Sequence, residues 1–217
     1  MSLHQKFTKK GSLRTYNSSE PEVLSLINNA DCAAAIWRRT PLKSFQDWIN
    51  AQIPENLPSA RMLLPPQSVP DALWNIMDVS GLQNDLNRKL LIEDMSALAH
   101  IFADIMQTPY LRLRLKVVSK NACPTFHDNN FKARLICTYR GTGTQYGKSE
   151  NGSDPKNISN LSTGSVMIIR GTHWPKRPNF GLLHRSPPIQ NSGKTRLVLV
   201  LDPSEEIKRN VRKNILH

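Results

Sequence analysis

The chain has 217 residues, enough for one domain that buries roughly two thirds or more of its unfolded surface, so neither a disulfide frame nor a metal is needed merely to fold it. Its 29 basic and 17 acidic side chains leave a net charge of +12, scattered in short patches without a zinc-finger, RNP or helix-turn-helix signature, which points to a basic solvated surface ahead of a nucleic-acid partner. No run approaches about 18 apolar residues and Met1 to Glu20 lacks an apolar h-region, so neither membrane spanning nor export is expected, and the cytoplasm is the default.

Residues 1–20, poor in apolar side chains, are expected as a disordered tail. Glu22 to Asn29 reads as a short helix, and Ala33 to Trp37 as a strand or a helical turn. Phe45, Trp48 and Ile49 recur at three and four, which predicts a helix over Phe45 to Gln52. Pro54, Pro58, Pro65 and Pro66 mark a connector, and Ser68-Val69-Pro70-Asp71 opens another helix with proline in its first turn. The longest helix is predicted from Leu82 to Met106 on a stripe of Leu86, Leu90, Leu91, Leu98, Phe102, Ile105 and Met106, ending at Thr108-Pro109.

The period then switches to two. Leu111, Leu113, Leu115 and Val117 alternate with Arg112, Arg114 and Lys116, a half-exposed strand. Further strands are predicted near 132–140, 164–170, 180–184 and 195–201. Lys148 to Leu161 is a Gly/Asn/Ser/Pro loop suited to a cavity mouth, and Glu205 to Leu216 a basic terminal helix. These segments predict an α+β protein: a helical part over 21–108 packed on a C-terminal β-domain over 109–203, followed by a basic helix over 204–217.

Cys32, Cys123 and Cys137 are odd in number and widely spaced, which suits buried thiols better than a disulfide frame. Gly147-Lys148-Ser149 superficially suggests a phosphate loop, but the residue five before Gly147 is Thr142 and no helix follows. His100 and Asp104, four apart on the long helix, read as a solvated pair.

The chemistry concentrates in residues 123–202. His127 in Cys-Pro-Thr-Phe-His-Asp-Asn and His184 in Leu-Leu-His-Arg-Ser-Pro-Pro are candidate imidazole ligands of one metal ion. A third ligand on the same strand face falls at Asn129, whereas the adjacent carboxylate is Asp128. Either a bulge turns Asp128 inward, or Asn129 binds through its amide oxygen, or no iron is held. Cys123 is a softer donor should the site be built for zinc. Arg196, beyond the Pro187-to-Gly193 turn, begins a strand apolar on both faces and is placed to clamp an anion, the structural alternative being an ion pair with Asp202.

Taken in order, His127, the strand Arg134 to Tyr139, the turn Gly141-Thr-Gly-Thr-Gln-Tyr146, the strand Thr163 to Gly171, His184 and Arg196 resemble the double-stranded β-helix, a jelly-roll or cupin-like fold, of Fe(II)/2-oxoglutarate dioxygenases of the prolyl-hydroxylase type. The words Cys-x-x-Phe-His, Arg-Leu-Ile-Cys-Thr-Tyr-Arg-Gly-Thr-Gly-Thr, His-Arg-Ser-Pro-Pro and Thr-Arg-Leu-Val-Leu-Val-Leu-Asp, with Ala35-Ile-Trp-Arg-Arg39 upstream, more specifically resemble an uncharacterised bacterial family, domain of unknown function eighteen twenty-six. The first resemblance implies Fe(II) held by His127, His184 and Asp128 or Asn129. It further implies 2-oxoglutarate oriented by Arg196 with help from Arg134 and Tyr139, and a small-molecule or peptide substrate walled by His173 and Trp174. The second implies an alternative role, non-catalytic metal binding linked to zinc homeostasis.

Overall fold

The computed structural model describes residues 14–128, 130–149, 153–175 and 181–205. In chain order the elements are β1 (Arg14–Ser18), a 3-10 segment (Pro21–Asn28), β2 (Cys32–Trp37), α1 (Lys43–Ala51), β3 (Ala60–Leu64), α2 (Val69–Ser80) and α3 (Leu86–Met106). They continue as β4 (Tyr110–Val118), β5 (Ala133–Arg140), β6 (Gln145–Lys148), β7 (Ser159–Asn160), β8 (Val166–Arg170), β9 (Leu182–Arg185) and β10 (Arg196–Ser204).

Two sheets result, a seven-stranded one in the order β1-β2-β8-β5-β10-β4-β3 and a three-stranded one in the order β7-β6-β9. A single antiparallel bridge between His127 and His184 adds the segment before β5 to the smaller sheet. The central β8-β5-β10-β4 strands and the smaller sheet have the strand order of two faces of a jelly roll, and the whole is a mixed α/β fold consistent with that architecture.

The alternation in β10 sorts the core. Leu197, Leu199 and Leu201 enter the larger cluster with Leu91, Met95, Leu98 and Phe102 of α3, while Val198 and Val200 join Ile136, Met167 and Ile169 in a second cluster, against which Tyr146 and Leu182 of the smaller sheet pack. The larger sheet is therefore apolar on both sides, with helices on one face and the smaller sheet on the other.

The N-terminal part departs from expectation. Residues 14–18, placed in the disordered tail by their polarity, form β1, which pairs parallel to β2; Tyr16 donates to Asp31 and Trp37 donates to the Ser19 carbonyl. The 21–108 segment is not purely helical, since β2 pairs with β8 and β3 pairs with β4 at the two sides of the sheet. β3 lies inside the proline-marked connector, where flanking prolines hid a run only five residues long. In α3 the buried stripe is Leu91, Ile92, Met95, Leu98, Ala99, Phe102 and Met106, whereas Leu86 and Leu90 are exposed, because one residue of helix is about 100° of rotation and Leu90 lies that far from Leu91. Of the terminal helix expected over Glu205 to Leu216, only Glu205 is described.

Candidate functional site

His127 and His184 meet. Each main-chain N–H donates to the other's carbonyl, at 3.0 and 3.1 Å, and their ring centroids lie 4.5 Å apart. The chain is held in this register from both sides. The Ser186 N–H donates to the Cys123 carbonyl, Arg185 donates to the Pro124 carbonyl and Gln145, and its guanidinium stacks on Phe126. Asn121 accepts from the backbone N–H groups of Ile189 and Gln190, fixing the turn that leaves the Ser186-Pro-Pro188 stretch.

His184 is 4% exposed and pairs across the smaller sheet with Tyr146. Burial pushes its pKa down to about 3, and the neighbouring His127 and Arg134 push in the same direction, so the imidazole is neutral at physiological pH. Its Nδ1 is buried and has no hydrogen-bond partner among the described residues. A neutral, desolvated imidazole with an unsatisfied nitrogen beside a second imidazole suits a divalent transition-metal ion, which would satisfy that donor without displacing a proton. Asp128 is half-buried and directly follows His127, and Asn129 lies outside the described residues. Among the described residues no three His, Cys, Asp or Glu side chains gather closely enough to complete a ligand set.

Arg196 is only 1% exposed, and burial lowers its pKa to about 10. Its Nε–H donates to the Thr142 carbonyl at 2.6 Å, while Nη2 is buried without a partner among the described residues. The turn after β5 is shaped around it. Gly141 has φ +77°, and a Cβ there would come within 3.0 Å of Arg196 Cγ, so glycine is required both by conformation and by space. Arg196 shares its strand face with Val198 and Val200, the face toward the smaller sheet.

The ion pair with Asp202 is not made by Arg196. Asp202, fully buried, is shared by Arg134, whose Nε donates at 2.7 Å, and by Arg114. Arg134 thus stands on the inter-sheet face of β5, where its charge reaches His184, and is held there in this ion pair. Tyr139 does not reach the site. Odd residues of β5 face the helices, and Tyr139 donates to Asp94 of α3 at 2.6 Å, with Arg39 on the same carboxylate. Trp174 also lies elsewhere, its ring stacked on the Arg170 guanidinium, which donates to the Ile27 and Asn29 carbonyls and belongs to the helix-facing side of β8. His173 is exposed, its N–H donating to the Phe131 carbonyl. Cys123 is exposed and contributes its carbonyl, Gly147 and Lys148 lie on β6 rather than before a helix, and His100 shares its Nδ1 with the Ser96 carbonyl.

The sequence does not reveal five residues of this region: Asp202, which enters only as a possible partner of Arg196; Tyr146, which reads as part of a turn; Arg112 and Arg114, which read as the outer face of a half-exposed strand; and Phe131. The signal existed in part: the period-two pattern of β4 puts its arginines on one face, but only the added β3 and β10 show that this face is the inter-sheet one.

The dioxygenase for auxin oxidation 1 from Arabidopsis thaliana, solved as a 2-oxoglutarate binary complex, has a similar structure: the TM-score is 0.53 at 10% sequence identity, covering 90% of this chain and 93% of that one. The dioxygenase for auxin oxidation in rice (TM-score 0.49, 10% identity, 88% and 83% covered) and a 2OG-Fe(II) oxygenase family oxidoreductase from Burkholderia pseudomallei (0.42, 12%, 90% and 96%) align over similar lengths. The fold is accordingly of the type seen in 2-oxoglutarate oxygenases, as the Arabidopsis protein exemplifies. The chain itself belongs to the family described as Protein of unknown function (DUF1826), whose model matches residues 18–202. No curated protein matches it. Among the described residues, no helix is long and apolar enough to cross a membrane.

Proposed function

We propose that the protein is an Fe(II)/2-oxoglutarate-dependent oxygenase acting on a small-molecule or peptide substrate. The observation that carries this reading is the His127–His184 pair on one rung of the smaller sheet, with the unpartnered Arg196 Nη2 buried on the same inter-sheet side of the larger one. His127 and His184 would hold the metal together with Asp128 or Asn129, and Arg196 would take the distal carboxylate of the keto acid, a planar fork meeting a planar anion. Iron held there would supply the redox chemistry with dioxygen. The chain's own part is to position both groups and to keep water out with the apolar residues Val198, Val200 and Leu182 packed between the two sheets.

Anaerobic titration of the protein with Fe(II) and 2-oxoglutarate is expected to give a weak visible charge-transfer band, lost in His184→Ala and weakened in Arg196→Gln. An unchanged band in His184→Ala would remove the site assignment. A non-catalytic metal-binding role is the second reading, favoured by an amide, Asn129, standing two residues after His127 where a carboxylate would complete the iron site. Stoichiometric zinc in the purified protein, with no turnover of the keto acid, would establish it instead.

A further inference from the structure

The face of the larger sheet that carries Arg134 also carries Arg61 of β3 and Arg112, Arg114 and Lys116 of β4. Arg61 and Arg114 are directly opposite each other in the β3–β4 ladder, a like-charge pair that disfavours the sheet. Within β3, β4, β5 and β10 the sequence offers one acid, Asp202, and it already serves Arg114 and Arg134. Among the described residues Arg61 and Arg112 have no acidic partner. Burial disfavours the protonated state of Arg114 first of all; Asp202 favours it, and Arg134, Arg61 and Arg112 oppose it further.

Arg61, Arg112, Arg114 and Phe131 line a recess of about 260 Å³. The Phe131 ring lies under two guanidiniums, 5.0 Å from Arg134 and 5.7 Å from Arg114, which gives the recess a fixed apolar wall. Cations held in register with one shared counterion repel one another, and a ligand that supplies negative charge would relieve that repulsion.

We propose that this recess binds the anionic end of the substrate, and that the substrate is a small organic molecule bearing a dianionic oxyanion of the phosphate-monoester class. More than one cation is left over after Asp202, so a dianion fits better than a monocarboxylate, and arginine forks suit a phosphate's oxygens. Arg134 stacks on the Phe131 ring that walls the recess and lies on the sheet face against which Leu182 of the His184 strand packs, which places the rest of the molecule toward the histidine pair. This assignment rests on the histidine pair being the reaction centre.

The test is calorimetric titration of the metal-free full-length protein with inorganic phosphate and with phenyl phosphate, at fixed ionic strength. The parent should bind both, phenyl phosphate the more tightly, and Arg112→Gln and Arg61→Gln should each weaken binding at least ten-fold while retaining the parent's circular dichroism. Lys89→Gln, which removes a cation from the exposed side of α3, should bind as the parent does. Equal affinity in Arg112→Gln and the parent, or equal loss in Lys89→Gln, overturns the site; displacement of phosphate by 2-oxoglutarate, or tighter binding of benzoate than of phenyl phosphate, overturns the substrate class. Because no metal is present in this titration, a missing charge-transfer band with Arg112-dependent phosphate binding would sink the oxygenase reading and leave the recess as an anion site alone, whereas an intact band without such binding would sink only this proposal.

Discussion

Asp202 is the residue on which the charged side of the larger sheet depends. It is fully buried between Arg114 and Arg134, and removing one partner of a buried pair leaves charge without compensation. Asp202→Asn is therefore expected to lower the free energy of unfolding by about 3–5 kcal/mol in urea denaturation; a loss within about 0.5 kcal/mol would mean that both guanidiniums reach water. His184 makes a second, pH-dependent contribution. The folded ring takes a proton only near pH 3, whereas the unfolded chain takes one near its ordinary 6.5, so below 6.5 the unfolded state binds the extra proton. Stability from this group is complete above that pH and falls as pH drops toward 3, at up to about 1.4 kcal/mol per pH unit. Unfolding curves of the chelator-treated protein from pH 7 to 4 should be steeper in pH for the parent than for His184→Gln, and equal slopes would show that the ring is hydrated.

At the scale of elements, α3 is fastened at its start. Asp85 is its N-cap, accepting from the Arg88 N–H at 2.9 Å, and its other oxygen accepts from the Trp48 indole of α1 at 2.8 Å. Asp85→Ala loses both bonds and should cost about 1–2 kcal/mol by thermal or chemical unfolding; a cost near zero would mean that the cap is replaced by water. This start was not legible: the apolar pattern beginning at Leu82 predicted a longer helix, whereas an acidic cap at Asp85 sets it four residues later. Strands were more legible where their period was long. The alternation in Leu111 to Val117 and the run Leu197 to Leu201 announced β4 and β10, but β1 and β3 are short, polar or proline-bounded and gain stability only from neighbours distant in sequence.

For the molecule as a whole, the pairing of His127 with His184 was legible because both residue types and their order are local facts, and strand alternation then fixes the facing. Which arginine meets which acid was not, since it depends on β10 lying between β4 and β5, a matter of topology. Tyr139 and Trp174 failed for a related reason: nearness in sequence to a site strand does not say which face a side chain takes, and Tyr139 falls on the face where Asp94 and Arg39 close a network tying β2's exit, α3 and β5 together. The shape of β3 bears on a different property. It forms one rim of the seven-stranded sheet, and it is only five residues long, bounded by Pro58 on one side and Pro65-Pro66 on the other, with Arg61 exposed in between. A rim so brief, interrupted by residues without an amide hydrogen and bearing a cation, offers a poor template to a passing strand, so crowded copies of this chain are discouraged from polymerising through that border.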